Sequence, residues 1–351
     1  MIKNYFAGAN SCQGFYSFYE YLAFGCERIF IIKGGPGTGK STFMKRIAAD
    51  MIKKGYKIEK HWCSSDSESL DGLVIKDLKV AILDGTAPHL VDPDYPGVIG
   101  EIINFGRYWD REVLLNEKEE IIELTQTNRK YFKKTYHQLE LANSFFKQID
   151  DFYNKSYDEN ELTNEFMAYV KDMLNEKNVK QKPQPRHLFP AALTPAGIID
   201  YTEEILARCK EVILVKGEGS NSSDLLKEAG GLAESYGYQI TYFHSFFIPQ
   251  FIDLVVIEEP AIAILRDKNN ISLSSIELLK IFNLARKIDL DEKRKDEIYL
   301  LQEKKQKRLN KAINYLKKAK EVHDQLEEKY IKAMDFDKLE VKRQQILAEI
   351  T

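Results

Sequence analysis

The run Gly34-Gly35-Pro36-Gly37-Thr38-Gly39-Lys40-Ser41 has the residue types and the spacing, G-x-x-x-x-G-K-[ST], that wrap a phosphate chain. Glycines let successive backbone N–H groups turn toward phosphate oxygens, and a helix N-terminus behind them adds partial positive charge. In that chemistry Lys40 reaches the β- and γ-phosphates and the Ser41 hydroxyl ligates Mg2+. Gly34 to Thr42, which comprises Gly34, Gly35, Pro36, Gly37, Thr38, Gly39, Lys40, Ser41 and Thr42, is therefore the expected ATP-binding loop. A second signal is "VAILDGTAPH", an apolar strand from Val80 to Leu83 ending in Asp84. A carboxylate at that strand end is expected to share Mg2+ with Ser41.

Cys63 to Gly72, "CSSDSESLDG", follows an apparent strand, Lys57–Trp62, and so falls where ligands sit in open α/β sheets. Asp66 and Asp71 there read either as groups positioning water or Mg2+ or as loop caps. Lys40, Asp84 and Asp66 make up the expected catalytic set. His89 reads as a polar loop residue, with a γ-phosphate sensor or proton carrier as the alternative. Arg107 reads as an ion-pair residue, with an arginine finger as the alternative.

The elements that must hold these groups are legible. Ile29–Ile32 is a continuous β-prone run suited to a buried parallel strand. After the loop, Phe43, Met44, Ile47, Ala48 and Met51 recur at helical spacing, and Gly55 ends the helix. With 351 residues, 44% hydrophobic and 30% charged, the chain has material for two cores. A net charge of −3 gives no strong nucleic-acid signal, and no apolar run reaches membrane-spanning length. The four cysteines form no CxxC pair and the N-terminal residues carry no leader-like apolar stretch, so a reduced, cytoplasmic protein is expected.

The chain also repeats itself. Phe6, Ala9, Gly14, Cys26, Lys33 and Gly34 pair in order with Phe189, Ala192, Gly197, Cys209, Lys216 and Gly217. Further on, Gly55-Tyr56 pairs with Gly237-Tyr238 and Asp71 with Asp253. Asn104, Arg107 and Asp110 pair with Asn283, Arg286 and Asp289, and Leu139, Ala142, Tyr153 and Asp158 with Leu316, Ala319, Tyr330 and Asp335. In this register "GEGSNSSDL" stands where "GGPGTGKST" stands, with Ser223 opposite Lys40, Asp224 opposite Ser41 and Arg266 opposite Asp84. Glu218 and Asp224 would repel phosphate, and Asp224 or a nearby serine is expected to cap the helix instead. The second site reads as decayed. Asp71 leans toward a structural role because Asp253 persists in this copy. Glu258 and Glu259, after the apolar run Leu254–Ile257, read as turn acids, with a metal or base role as the alternative.

The aromatic run Gly14–Gly25 reads as core packing rather than a base-stacking platform. Long charged segments follow each lobe. In the first, Glu112–Tyr153 as one helix would span roughly 60 Å. Phe132, Leu139, Phe146 and Tyr153, interleaved with Thr135, Ala142 and Ile149, form a heptad seam. Leu309, Leu316, His323 and Tyr330, with Ala312, Ala319 and Leu326, form another. The favoured expectation is that each arm covers its own lobe. The alternative is that the arms pair and transmit nucleotide-driven movement to a protein partner. Lys177–His187 is the expected linker.

The motifs "FAGANS…GF", "KGGPGTGKST", "SSDSESLDG" and "DGTAPH", with the restart "LFPAALTPAG", resemble an uncharacterised family of bacterial ATPase-like proteins. The resemblance implies two tandem P-loop NTPase lobes and nucleotide-dependent function. That family often keeps a GKS/T loop in its second lobe, and this chain does not. The expected architecture is α/β: duplicated P-loop NTPase lobes with mainly parallel sheets, each with a long α-helical arm, packed as an intramolecular pseudo-dimer. Lobe one covers 1–182 with its arm at about 112–177, and lobe two 183–351 with its arm at about 290–350. The expected activity is Mg2+-dependent ATP hydrolysis in lobe one beside a pseudo-ATPase in lobe two. A P-loop kinase for a small acceptor and an ATP-gated, non-hydrolysing scaffold are the alternatives.

Overall fold

The computed structural model describes residues 2–87, 90–155, 159–177, 182–217, 219–267, 278–284 and 291–351. His89, Asp158, Glu218, Arg286, Asp289 and the middle of the expected linker lie outside the described residues.

In the first half the chain forms β1 (Ile2–Phe6), a hairpin of β2 (Gly8–Ser11) and β3 (Gly14–Ser17), then β4 (Arg28–Lys33) and α1 (Lys40–Lys53). β5 (Ile58–Trp62), β6 (Leu70–Ile75), β7 (Val80–Asp84) and β8 (Gly100–Asn104) complete a six-stranded sheet. Its order is β1-β5-β6-β7-β4-β8, with β6 alone antiparallel to its neighbours. Both faces of the central strands are buried, which is why β4, β6 and β7 read as apolar runs without alternation. The chain continues into α2 (Arg111–Asn116), α3 (Lys118–Lys155) and α4 (Glu159–Met173).

The second half follows the same plan. β9 (Arg186–Leu188), the hairpin β10 (Ala191–Thr194) and β11 (Gly197–Asp200), α5 (Thr202–Leu206), β12 (Glu211–Lys216) and α6 (Ser220–Ser235) come first. β13 (Ile240–His244), β14 (Ile252–Ile257), β15 (Ile262–Arg266) and β16 (Leu278–Asn283) follow, then α7 (Glu292–Ala333) and α8 (Phe336–Ile350). The sheet order is β9-β13-β14-β15-β12-β16, position for position that of the first sheet, with β14 the antiparallel strand. We refer to the two sheets with their helices as lobes one and two.

The lobes meet edge to edge. Phe6 and Phe189, in β1 and just after β9, exchange both backbone hydrogen bonds at 3.0 and 2.9 Å. Phe18 packs on Phe189 and His244 with ring centroids 4.8 and 4.5 Å apart, so the aromatic run of the first hairpin fills the junction core. Arg186 of lobe two donates to buried Glu59 of lobe one at 2.8 Å.

The arms depart from expectation in two ways. The helix expected from Glu112 to Tyr153 breaks at Glu117, where the backbone turns to φ −100°, ψ 11°. Glu117 at the break and Glu120 just after it both bind Lys329 of α7, at 3.2 and 2.7 Å. The second departure overturns the expectation that each arm covers its own lobe. α3 and α7 run antiparallel in contact: Asn128 bonds Ala319, Arg308 bonds Gln138, and Ile149 packs with Ile298 and Leu301. At 1.5 Å per residue the 38-residue α3 carries the chain about 57 Å, from one lobe to the other. Phe166, Val170 and Leu174, in and just after α4, therefore enter the core of lobe two, while Leu339, Ile346 and Ile350 of α8 enter the core of lobe one. The seam residues Leu139, Ala142, Leu309, Ala312 and Leu316 are buried between the arms.

Candidate functional site

The glycine-rich loop bridges the end of β4 and the start of α1. Gly37 and Gly39 hold φ of 66° and 86°, a left-handed conformation that side chains resist, and Thr38 Oγ1 ties the loop by donating to the Gly35 carbonyl at 2.8 Å. The Lys40 ammonium lies across the loop, donating to the carbonyls of Gly34 and Gly35 at 3.1 and 2.7 Å. It is 3.7 Å from Asp84 Oδ2. β4 and β7 are neighbours with Ile32 opposite Asp84, so strand pairing brings lysine and acid together. Thr86 fixes Asp84 through its N–H at 2.9 Å, and its hydroxyl donates to the Gly34 carbonyl at 3.0 Å. Ser41 Oγ, on the first turn of α1, accepts the N–H of Leu70 at 3.0 Å. Pro36 is half-buried and Thr42 exposed.

Asp71, which the sequence offers as a water- or Mg2+-positioning group or as a loop cap, lies beside Lys40 and Asp84. In the β6–β7 register Gly72 faces Leu83, which sets Asp71 opposite Asp84 one step further along. Asp71 is buried. Burial pushes its pKa up to about 6, against the pull of hydrogen bonds from Tyr19 and Cys63 and the charge of Lys40. Burial also raises the pKa of Asp84, opposed by Lys40 and reinforced by Asp71. The two acids thus face each other across the strand pair beside Lys40, and the charge of Asp71 adds to the rise at Asp84. The signal available in the sequence was the antiparallel register of two adjacent apolar strands.

Asp66 does not join this group through any direct contact. Its carboxylate caps its own turn, accepting from Glu68 N–H at 3.2 Å and Ser69 Oγ at 2.9 Å, and lies 3.7 Å from Lys320 of α7. Arg107 is exposed in a short 3-10 turn. Glu258 and Glu259 are exposed in the turn after β14, and Glu258 accepts from Thr241 at 2.6 Å.

The far arm closes over the loop. Glu327 of α7 accepts the Gly37 N–H at 3.2 Å and lies 3.4 Å from His323. Burial works against the Glu327 charge, but the hydrogen bonds from His323 and Gly37 and the charges of His323 and Lys320 hold its pKa below the usual range. A Cβ at Gly35 would meet the Tyr330 ring, and one at Gly37 the Glu327 carbonyl oxygen. Phe336 and Leu339 line the Gly39 side. Arg343 anchors α8 to Asp50 of α1 at 2.6 Å.

In lobe two the matching corner is built differently. Ser223 Oγ accepts the N–H of Ile252, the first residue of β14, at 2.8 Å, just as Ser41 accepts Leu70, the first residue of β6. Ser223 is thus the structural counterpart of Ser41, which corrects the sequence register that set it opposite Lys40. Arg266, at the end of β15, binds Asp253 and donates to the Gly219 carbonyl at 3.3 Å. It stands at the place of Asp84 yet bonds the loop carbonyl as Lys40 does. The expected cap from Asp224 or a loop serine is also corrected: Asp224 is exposed, and Asp150 of α3 accepts the Ser220 N–H at 2.6 Å.

Among the described residues no group of three or more His, Cys, Asp or Glu side chains is arranged to hold a metal by itself. A divalent ion at Ser41, Asp84 and Asp71 would have to take its remaining ligands from water or a bound anion, which is how Mg2+ is held beside phosphates. No described helix is long and apolar enough to cross a membrane. The chain matches no protein-family model, no curated protein and no solved structure in the comparisons made. The α/β architecture, with two sheets of mainly parallel strands and long helices, is what the structure establishes.

Proposed function

We propose that the chain arose by tandem duplication of a P-loop lobe, and that lobe one binds Mg·ATP and hydrolyses it while lobe two is a pseudo-ATPase. The observation that carries this reading is the position of Lys40. Its ammonium spans the carbonyls of a left-handed glycine loop and lies 3.7 Å from an acid on the adjacent strand. Gly34 to Thr42 would hold the triphosphate, with Lys40 on the β- and γ-phosphates. Ser41 and Asp84, with Asp71 behind them, would hold Mg2+. Asp71 and Asp84, facing each other beside Lys40, fit a cation. When bound, Mg2+ would offset the charge on the phosphate oxygens. Lobe two lacks this fit because Arg266 already neutralises Asp253.

The test is calorimetric binding of Mg·ATP together with phosphate release, for the wild-type protein and Lys40→Ala. Micromolar binding with slow release, both lost in the variant, is the expected result. Equal binding by both proteins would sink the assignment to lobe one. One observation favours a second reading, an ATP-gated scaffold without turnover: the residue after Asp84 is Gly85, so no acid stands there to orient water. Binding without phosphate release would select it.

A further inference from the structure

We propose that Glu327 is a displaceable plug: its carboxylate occupies the loop amide that a nucleotide phosphate takes, so ATP binds by expelling it and thereby levers the α7–α8 arm off lobe one. This rests on the reading of Gly34–Ser41 as a phosphate site.

The loop N–H groups are the donors a phosphate needs, and a donated N–H serves one strong acceptor at a time. Gly37 already gives its N–H to the Glu327 carboxylate. The α7 backbone lies against the same glycine, and the Tyr330 ring against Gly35. An incoming phosphate meets both an occupied donor and a like charge. Turning the Glu327 side chain away would free the N–H but leave the α7 backbone against Gly37, so seating a phosphate on this glycine moves α7 as well as the carboxylate.

The other half of the molecule shows the same contact independently. Asp150 of α3 accepts the N–H of Ser220 in the lobe-two loop at 2.6 Å. Each arm thus lays a carboxylate on the loop of the opposite lobe. In lobe two Arg266 fills the corner, binding Asp253 and the loop carbonyl of Gly219, and the carboxylate serves as a fixed helix cap. In lobe one the lysine and acids are kept, and the carboxylate competes with a ligand.

The lever is continuous. α7 is locked to α3 by Lys329 with Glu117 and Glu120, and leads into α8, which is tied to α1 by Arg343–Asp50. The apparent affinity for ATP is the intrinsic affinity reduced by the fraction of molecules with the plug withdrawn.

The experiment measures Mg·ATP affinity by calorimetry for the wild-type protein, Glu327→Ala, Glu327→Gln, Asp150→Ala and Lys40→Ala. Hydrogen exchange of residues 320–334 is followed in the wild-type protein with and without ATP. Removing the plug is expected to tighten binding by about tenfold in Glu327→Ala, less in Glu327→Gln, and not in Asp150→Ala. ATP is expected to speed amide exchange in 320–334 of the wild-type protein. Unchanged or weaker binding in both Glu327 variants, with wild-type binding still dependent on Lys40, overturns the plug and leaves the nucleotide site standing. Unaltered or slowed exchange on ATP binding overturns it as well, without recourse to a variant. Binding by none of the proteins removes the nucleotide reading itself, and the plug with it.

Discussion

Arg266 and Asp253 face one another across the β14–β15 pairing, at the places that Asp84 and Asp71 hold in lobe one. One strand corner therefore exists in two electrostatic versions within a single chain. In one, an arginine and an acid neutralise each other and bond the loop. In the other, two acids share the field of Lys40.

Arg266→Ala should destabilise the protein by about 3 kcal/mol, because Asp253 then stays buried without its guanidinium. Arg266→Ala combined with Asp253→Asn should recover most of that loss. Urea denaturation of the wild-type protein and the two variants checks this, and a double variant as weak as the single one would refute it.

Asp71→Asn should raise the stability of the ligand-free protein by about 1 kcal/mol, since it removes one of two like charges facing across a strand pair. The same change should weaken Mg·ATP binding while leaving Mg2+-free nucleotide binding nearly as before. Thermal melting and calorimetry with and without Mg2+ separate the two effects.

Phe166→Ala should cost about 3–5 kcal/mol and should loosen lobe two, although residue 166 precedes that lobe in sequence. Deleting residues 336–351 should expose the core of lobe one, where Leu339, Ile346 and Ile350 are buried. Hydrogen exchange resolved by lobe is the measurement. Loosening confined to the lobe nearest in sequence would contradict the crossed arms.

A pH dependence should come from the lobe junction. His244 Nδ1 lies 2.6 Å from the Pro249 carbonyl, so it carries the proton, and Nε2 is left to accept from His187 Nδ1 at 2.8 Å. Burial, together with the charges of His187 and Lys227, lowers the His244 pKa to about 4, against the Pro249 bond and Asp253. Burial lowers that of His187 too. Below about 6.5 the unfolded chain takes protons that these rings refuse when folded. Stability is thus fully present above pH 6.5 and falls as the pH drops toward 4, by roughly 3 kcal/mol from His244. His244→Gln should flatten that slope, and urea melts between pH 4 and 8 would show it.

The strand–loop–helix around Lys40 and the strand ending in Asp84 were legible because their information is local: apolar runs, glycines and helical spacing. The matching order of the halves was legible too, since pairs such as Ala9–Ala192 and Lys33–Lys216 fall in β2–β10 and β4–β12. The facing of Asp71 and Asp84 was not, because it depends on the register between two strands. Ser223 was set opposite the wrong residue because a residue-by-residue register assumed loops of equal length, and the hydrogen bonds to Leu70 and Ile252 show otherwise. The seams on α3 and α7 announced that each helix has a partner, but a heptad carries no label saying whose.

The crossed arms also set an order of assembly. α8, which completes the core beside the lysine loop, follows the whole of lobe two in the chain. During synthesis lobe one emerges first, and it must wait with its apolar flank open until residues 336–350 arrive. The half that carries the intact loop is therefore finished last, so a chain interrupted anywhere within lobe two leaves that loop without its roof.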